Sequence, residues 1–241
     1  MNNNAIEIRS LTKKYRDVIA VDNFSLDIPA GSLTSLLGVN GAGKTTLIGM
    51  LSGVIKPDGG DAYLLGHSIM NDIHAAKRYI SVSPQESAVA PRLTVRENLC
   101  LAAQIYGNSK AEAEKRADNI IEEFDMDAVR GKYAGKLSGG WQRRLSIAMA
   151  LVSNPKILFL DEPTLGLDVL ARRELWQMIR RLRGRVTILM TTHYMEEAEA
   201  LSDLIAIMKS GRLVKSGTAR ELMDAAGENK FEDAFIALSA E

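Results

Sequence analysis

Short apolar runs separated by polar turns dominate the first third of the chain. Ile6 and Ile8, then Val18, Ala20, Phe24, Leu26 and Ile28, mark the alternating pattern of antiparallel strands. Pro29-Ala30-Gly31 ends that stretch as a turn. Residues 33–37 are then continuously apolar enough for a buried strand, and residues 44–51 read as a helix. Lys56-Pro57-Asp58-Gly59-Gly60 predicts a second turn, with short strands expected at 62–65 and 79–82.

From about Arg92 to Val152 the pattern becomes helical. Thr94-x-x-Glu97 and Ser109-x-x-Glu112 are capping-box signatures opening helices. Residues 110–124 carry charge with only Ile120, Ile121 and Phe124 as an apolar stripe, which predicts a solvated helix. Leu145 to Leu151 reads as a further helix. Strand character returns at 157–160 and 186–190, continuous apolar runs suited to parallel strands covered on both faces. Strands are expected at 204–208 and 213–214, a helix capped by Thr218-x-x-Glu221, and an amphipathic helix at 231–238. The layout is an α/β core interrupted by a helical insertion.

Bulk properties narrow the function. Thirty basic residues balance thirty acidic ones, which argues against nucleic acid as a partner. The only cysteine, Cys100, excludes an intramolecular disulfide and reads as a buried, inert thiol in a helix. No run approaches the roughly 18 apolar residues of a membrane span, and Met1-Asn2-Asn3-Asn4 is too polar for a signal peptide. Any membrane span must come from another polypeptide.

Gly38-Val39-Asn40-Gly41-Ala42-Gly43-Lys44-Thr45 fits G-x-x-x-x-G-K-[ST] at every fixed position, between a strand and a helix. Glycines let backbone N–H groups converge on an anion, and the helix N-terminus adds partial positive charge. Lys44 is placed to reach the β- and γ-phosphates, and Thr45 to ligate Mg²⁺. A second apolar run ends in Asp161-Glu162, and carboxyl ends of parallel strands carry ligands. Asp161 suits a Mg²⁺ shell, and Glu162 suits polarising a water. Leu137-Ser138-Gly139-Gly140-Trp141-Gln142-Arg143-Arg144 leads into the helix expected at 145–151, a Ser/Gly-rich helix N-terminus and a second candidate anion site. Both sites could grip one nucleotide, or each could serve a different nucleotide in a two-fold dimer.

Residues 38–45, Gln85, residues 137–140, Asp161-Glu162, Asp168 and His193 resemble, in order, the motifs of ABC transporter ATP-binding subunits. The resemblance spans most of the chain, from Ile6 to Leu238. It implies an α/β fold: a P-loop NTPase (RecA-like) core with an antiparallel β subdomain and an inserted helical subdomain. It also implies one ABC ATP-binding domain over 1–241, with core and β subdomain at 1–85 and 153–241 and the helical subdomain at 86–152.

The roles the resemblance implies are as follows. Gly38, Asn40, Gly41, Ala42, Gly43, Lys44, Thr45 and Thr46 bind phosphate. Tyr15 stacks on adenine, although alone it reads as a half-buried strand residue. Gln85 touches Mg²⁺ and the attacking water. Ser138, Gly139 and Gly140 grip the γ-phosphate held by the opposite subunit. Asp168 belongs to the dimer-contact loop, although alone it reads as a helix N-cap. His193 contacts the γ-phosphate, and Glu162 acts as base. ATP and Mg²⁺ are the implied ligands. Trp141 departs from the family's usual glutamine, and Ala148-Met149-Ala150 stands where an arginine is more common.

Thr192-His193-Tyr194-Met195-Glu196-Glu197-Ala198-Glu199, residues 91–98 and residues 231–238 are similar to the subgroup serving ABC-2-type exporters. The implied partners are an ABC-2-type transmembrane permease subunit and a second ATP-binding subunit, as homodimer or heterodimer. The implied location is cytoplasmic, peripheral on the cytoplasmic face of the cell membrane. The rival class is a soluble ABC-type ATPase acting on ribosomes or DNA. Such proteins usually carry two domains or long coiled coils, and this sequence has neither pattern.

Overall fold

The computed structural model describes residues 3–240. Met1 and Asn2, which entered the reading of the amino terminus, lie outside the described residues. In chain order the elements are β1 (Asn4–Tyr15), β2 (Val18–Pro29), β3 (Leu33–Leu37), α1 (Lys44–Leu51), β4 (Gly59–Leu64), β5 (His67–Ser68), α2 (Ile73–Ala76) and β6 (Ile80–Ser83). Then follow α3 (Val95–Ile105), α4 (Lys110–Glu123), α5 (Gly139–Leu151), β7 (Ile157–Asp161), α6 (Val169–Arg181), β8 (Thr187–Thr192), α7 (Met195–Leu201), β9 (Leu204–Lys209), β10 (Arg212–Gly217), α8 (Ala219–Ala226) and α9 (Phe231–Ala240).

Two sheets result. The antiparallel one has the order β2-β1-β4-β5. The other has the order β10-β9-β3-β8-β7-β6 and is parallel apart from β10, which runs antiparallel to β9. Successive side chains of a strand point to opposite faces, and both faces of this sheet are covered. Ile157 and Phe159 join Leu36, Leu189, α1 and the antiparallel sheet in one core. Leu158 and Leu160 join Ile188, Met190 and helices α3 to α6 in another. That double coverage is why the central strands read as unbroken apolar runs. Helices α7, α8 and α9 close a third core over Leu37, Ile205 and Ile207.

Most expected elements appear, with instructive differences. Helix α5 begins at Gly139, six residues before the expected start at Leu145. Two glycines hide the first turn because glycine is a poor helix former. Strand β10 runs to Gly217 instead of ending at residue 214, since a sheet edge tolerates the polar residues that obscured it. Cys100 is half-buried against the core of helices rather than fully buried, and burial still pushes its thiol pKa up.

Candidate active site

Strand β3 delivers the phosphate loop to the carboxyl edge of the parallel sheet, beside β8 and β9. Two of its glycines are forced by close approach. A Cβ on Gly38 would lie 2.4 Å from the Met208 carbonyl oxygen. A Cβ on Gly43, at φ 105°, would lie 2.2 Å from the Ala20 carbonyl oxygen. The loop is thus pressed between β9 and the β1–β2 hairpin. Lys44 is only 5% exposed. Its ammonium donates to the carbonyl oxygens of Gly38 at 2.7 Å and Val39 at 3.2 Å. Glu162 Oε1 stands 3.4 Å from the same nitrogen.

The acids at the end of β7 are held from three sides. Asp161 Oδ1 accepts from Thr45 Oγ1 at 3.2 Å and from Thr191 Oγ1 at 2.5 Å. Glu162 adopts φ 44°, a conformation that costs a non-glycine residue about 1 kcal/mol or more. Its N–H donates to Thr191 Oγ1 at 2.9 Å, which anchors the turn. One oxygen of its carboxylate faces Lys44, and the other lies 3.1 Å from His193 Nδ1. A carboxylate held between a cation and an imidazole, beside an anion-binding loop, can take a proton from a water attacking phosphorus.

Of these groups Lys44, Thr45 and Glu162 line a cleft of about 570 Å³, while Asp161, Thr191 and His193 are not in its lining and reach it through Thr45 and Glu162. Residues 40–46, Gln85 and Glu162 form its walls, with Val18, Ile19 and Ala20 of the hairpin. Tyr15 is not among the lining residues. It lies in the cross-strand pair with Val18, is 45% exposed, and carries the Lys13 ammonium 5.4 Å from its ring centroid.

The second candidate loop lies apart from this cleft. Ser138, Gly139 and Gly140 are absent from its lining. Ser138 is the exposed N-cap residue of α5, and its side chain makes no capping hydrogen bond. Helices α1, α2 and α7 likewise lack a side-chain cap, and of these only α1 follows a glycine-rich loop. Helices α3, α4, α6 and α8 are each capped, by Thr94, Ser109, Asp168 and Thr218. An uncapped helix end leaves N–H groups for another acceptor. Gly140 is required by packing, since a Cβ there would lie 2.8 Å from the Ala171 Cβ. Asp168 Oδ1 accepts from the N–H groups of Leu170 and Ala171, both at 2.9 Å. Trp141 turns onto Arg144, whose guanidinium lies 4.2 Å from its ring centroid, and packs against the core.

Several residues of this region gave little sequence signal. Thr191 organises both acids, and only its position at a strand's carboxyl end hinted at it. Tyr194 is packed between the His193 ring, 4.1 Å away, and the Arg172 guanidinium, 4.6 Å away. Arg143 is buried and donates only to backbone carbonyls. Burial pulls its pKa down to about 10 against the opposing influence of Asp161 and Glu197. Glu197 is itself fully buried, accepts from Trp176 Nε1 at 2.9 Å, and has its pKa raised by that burial.

The ABC transporter family profile matches residues 21–165, which contain the phosphate loop, Gln85, the Ser138 loop and the two acids. The chain belongs to the ABC transporter ATP-binding family. This ABC ATPase is 42% identical over 226 residues to the daunorubicin/doxorubicin resistance ATP-binding protein DrrA of Streptomyces peucetius, covering 93% of the chain and 68% of that protein. It is 41% identical to the Nod factor export ATP-binding protein I of Burkholderia thailandensis, covering 91% of the chain and 72% of that protein. A solved ATP-binding subunit of an ABC transporter superposes with TM-score 0.84 at 27% identity, over 97% of this chain and 99% of the other. A dimeric post-hydrolysis ATP-binding cassette bound to ADP and Pi gives TM-score 0.78 at 26% identity, over 88% and 98%. The ABC ATPase therefore has the P-loop NTPase fold, binds and hydrolyses ATP, and serves to power transport. Among the described residues, no helix is long and apolar enough to cross a membrane.

Proposed function

We propose that two ATP-binding subunits, two copies of this chain or this chain and a similar one, close around two ATP molecules. Each cleft is completed by the Ser138 loop of the other subunit. The observation that carries this reading is the exposed, uncapped start of α5, which stands outside its own chain's cleft. Used within one chain, the two anion sites have no common cavity. Used across a two-fold axis, each meets the other's ligand. Exposed Leu165, Val169 and Leu170 around the Asp168 cap suit the contact between subunits.

Within each cleft, Lys44 and the N-terminus of α1 hold the phosphates. Glu162 accepts the proton of the attacking water, Gln85 orients that water, and His193 stands by the γ-phosphate. The work is charge placement and positioning, as phosphoryl transfer requires. Thr45 and Asp161, with Gln85, suit Mg²⁺: their oxygens are hard donors, two of them 3.2 Å apart. No group of three His, Cys, Asp or Glu residues able to hold a metal occurs among the described residues. Bound by Thr45, Asp161 and Gln85, Mg²⁺ neutralises charge on the phosphates.

The membrane partner in this reading is an ABC-2-type permease, and export is the direction, with the subunit peripheral on the cytoplasmic face. The export and drug-resistance names of the relatives support it. We take 86–152 as a helical subdomain facing that partner, and 1–85 with 153–241 as the nucleotide-binding remainder.

The test is phosphate release against protein concentration. Activity per molecule should rise with concentration before it levels off, because two chains build each site. A specific activity already constant at the lowest concentrations, from a species shown to be monomeric, overturns the shared site.

A further inference from the structure

Arg143 is 4% exposed, on the face of α5 turned into the protein. Its Nε donates to the Pro163 carbonyl oxygen at 2.8 Å. One terminal nitrogen donates to the carbonyls of Pro84 and of Gln85, the latter at 3.1 Å, and the other to Asp161 at 2.7 Å. Among the described residues it makes no ion pair within 4.0 Å. A cation buried for packing alone is a poor choice, since an apolar side chain of similar length fills the space without desolvating a charge. What the guanidinium supplies is a rigid planar fork that holds several acceptors in fixed relation.

Those acceptors belong to the segments that bear the chemistry. Gln85 lines the cleft and offers its own carbonyl to the fork. Asp161 and Pro163 flank Glu162, so the strained left-handed residue is gripped on both sides. The carrier of the fork is the helix whose first residue follows Ser138. A single rigid element therefore has one end at the exposed loop and, little more than one turn later, a clamp on both candidate water-handling residues.

We propose that Arg143 is a positioning residue for hydrolysis: it fixes Gln85 and Glu162 relative to each other and carries any displacement of α5 to both. The inference rests on the roles given above to Gln85, Glu162 and Ser138. It adds the means by which engagement of the Ser138 loop with one nucleotide is felt at the hydrolytic residues of the other site.

The test compares Arg143→Met, Arg143→Gln and Arg143→Lys in the full chain. Four quantities are read: affinity for a fluorescent ATP analogue, kcat per folded molecule, KM, and the urea midpoint. Clamp loss should leave analogue affinity and KM within about two-fold while kcat falls about ten-fold or more in the Met variant. The Lys variant should recover part of that loss, since an ammonium can serve some of the carbonyls but not in a fixed plane. Should the Met variant fail to fold, the Gln and Lys variants decide by the same split. Unchanged kcat per folded molecule in any folded variant overturns the clamp. So does a fall in kcat that only tracks the urea midpoint and the loss of affinity. Glu162→Gln, measured alongside, separates the two levels: if it keeps wild-type turnover, the underlying reading of the site fails. If it is inactive while Arg143→Lys is fully active, only the clamp fails.

Discussion

The starts of α1 and α5 use the same physics and differ in what surrounds them. Both lack a side-chain cap, so both offer N–H groups and the positive end of a helix dipole. At α1 the chain supplies everything else: Lys44 is buried in the loop, and Thr45, Asp161, Glu162 and His193 form one connected network. At α5 there is an exposed serine followed by two glycines, outside the cleft that Lys44 and Glu162 line. One site is a machine lacking a cover, and the other is a cover lacking a machine. The lesson is that a binding element left incomplete within one fold points to its complement on a second copy.

The largest effect should come from the machine. Glu162→Gln keeps the shape of the side chain and its contact with His193 but cannot accept a proton. Turnover should fall by about three orders of magnitude, within the range for loss of a general base in a preorganised site. ATP binding should persist, and the closed pair should accumulate because it cannot reopen by hydrolysis. Phosphate release and size-exclusion chromatography with ATP measure both. Turnover within a factor of a few of wild type removes Glu162 from the base role.

The next effect tests the cover. Ser138→Glu places a carboxylate at the N-terminus of α5, where the helix dipole favours it, so the fold should be kept or slightly stabilised. The same carboxylate occupies the place intended for phosphate. ATP affinity of the isolated subunit should be unchanged, since Ser138 does not line its cleft. Turnover should drop about a hundred-fold, as for removal of a preorganised donor. Equal loss of nucleotide affinity in the monomer would show that both loops serve one ligand after all, and the contrast between the two helix starts would be gone.

How much of this was legible beforehand depended on whether a function is written in consecutive residues. The phosphate loop is: its glycines, Lys44 and Thr45 are neighbours, and the strand and helix around them have clear periods. The acids follow an apolar run, so their place at a sheet edge could be read. Gln85 acquires meaning only through the order of the motifs, because its neighbours Pro84 and Glu86 are exposed loop residues without a pattern. Arg143 was illegible. Its partners are backbone carbonyls 18 to 59 positions away, and a carbonyl carries no residue code. The start of α5 was misread for a related reason: Gly140 is chosen for its approach to Ala171, which overrides its poor helix propensity.

The smallest effect sharpens the comparison most, because it separates a cap from an anion site by stability alone. Ser109 and Ser138 are both serines at helix starts with extended backbone, φ −60° and −62°. Ser109 Oγ accepts from the Glu112 N–H, and the Glu112 carboxylate accepts from the Ser109 N–H and hydroxyl. Ser138 has no such partner. Ser109→Ala should therefore destabilise the subunit by about 1 kcal/mol in urea unfolding and leave turnover per folded molecule unchanged. Ser138→Ala should alter stability by less than about 0.5 kcal/mol and lower turnover about ten-fold. Acid sharpens the first half. Bonds to Ser109 hold the Glu112 carboxyl below the usual glutamate value. Its share of stability is thus complete above about pH 4.5 and is lost as pH falls through the lower folded value. The stability difference between wild type and Ser109→Ala should shrink across that interval, while that for Ser138→Ala stays flat. If both alanine variants lose stability alike, Ser138 is an ordinary cap and the asymmetry between the two helix ends has no chemical meaning.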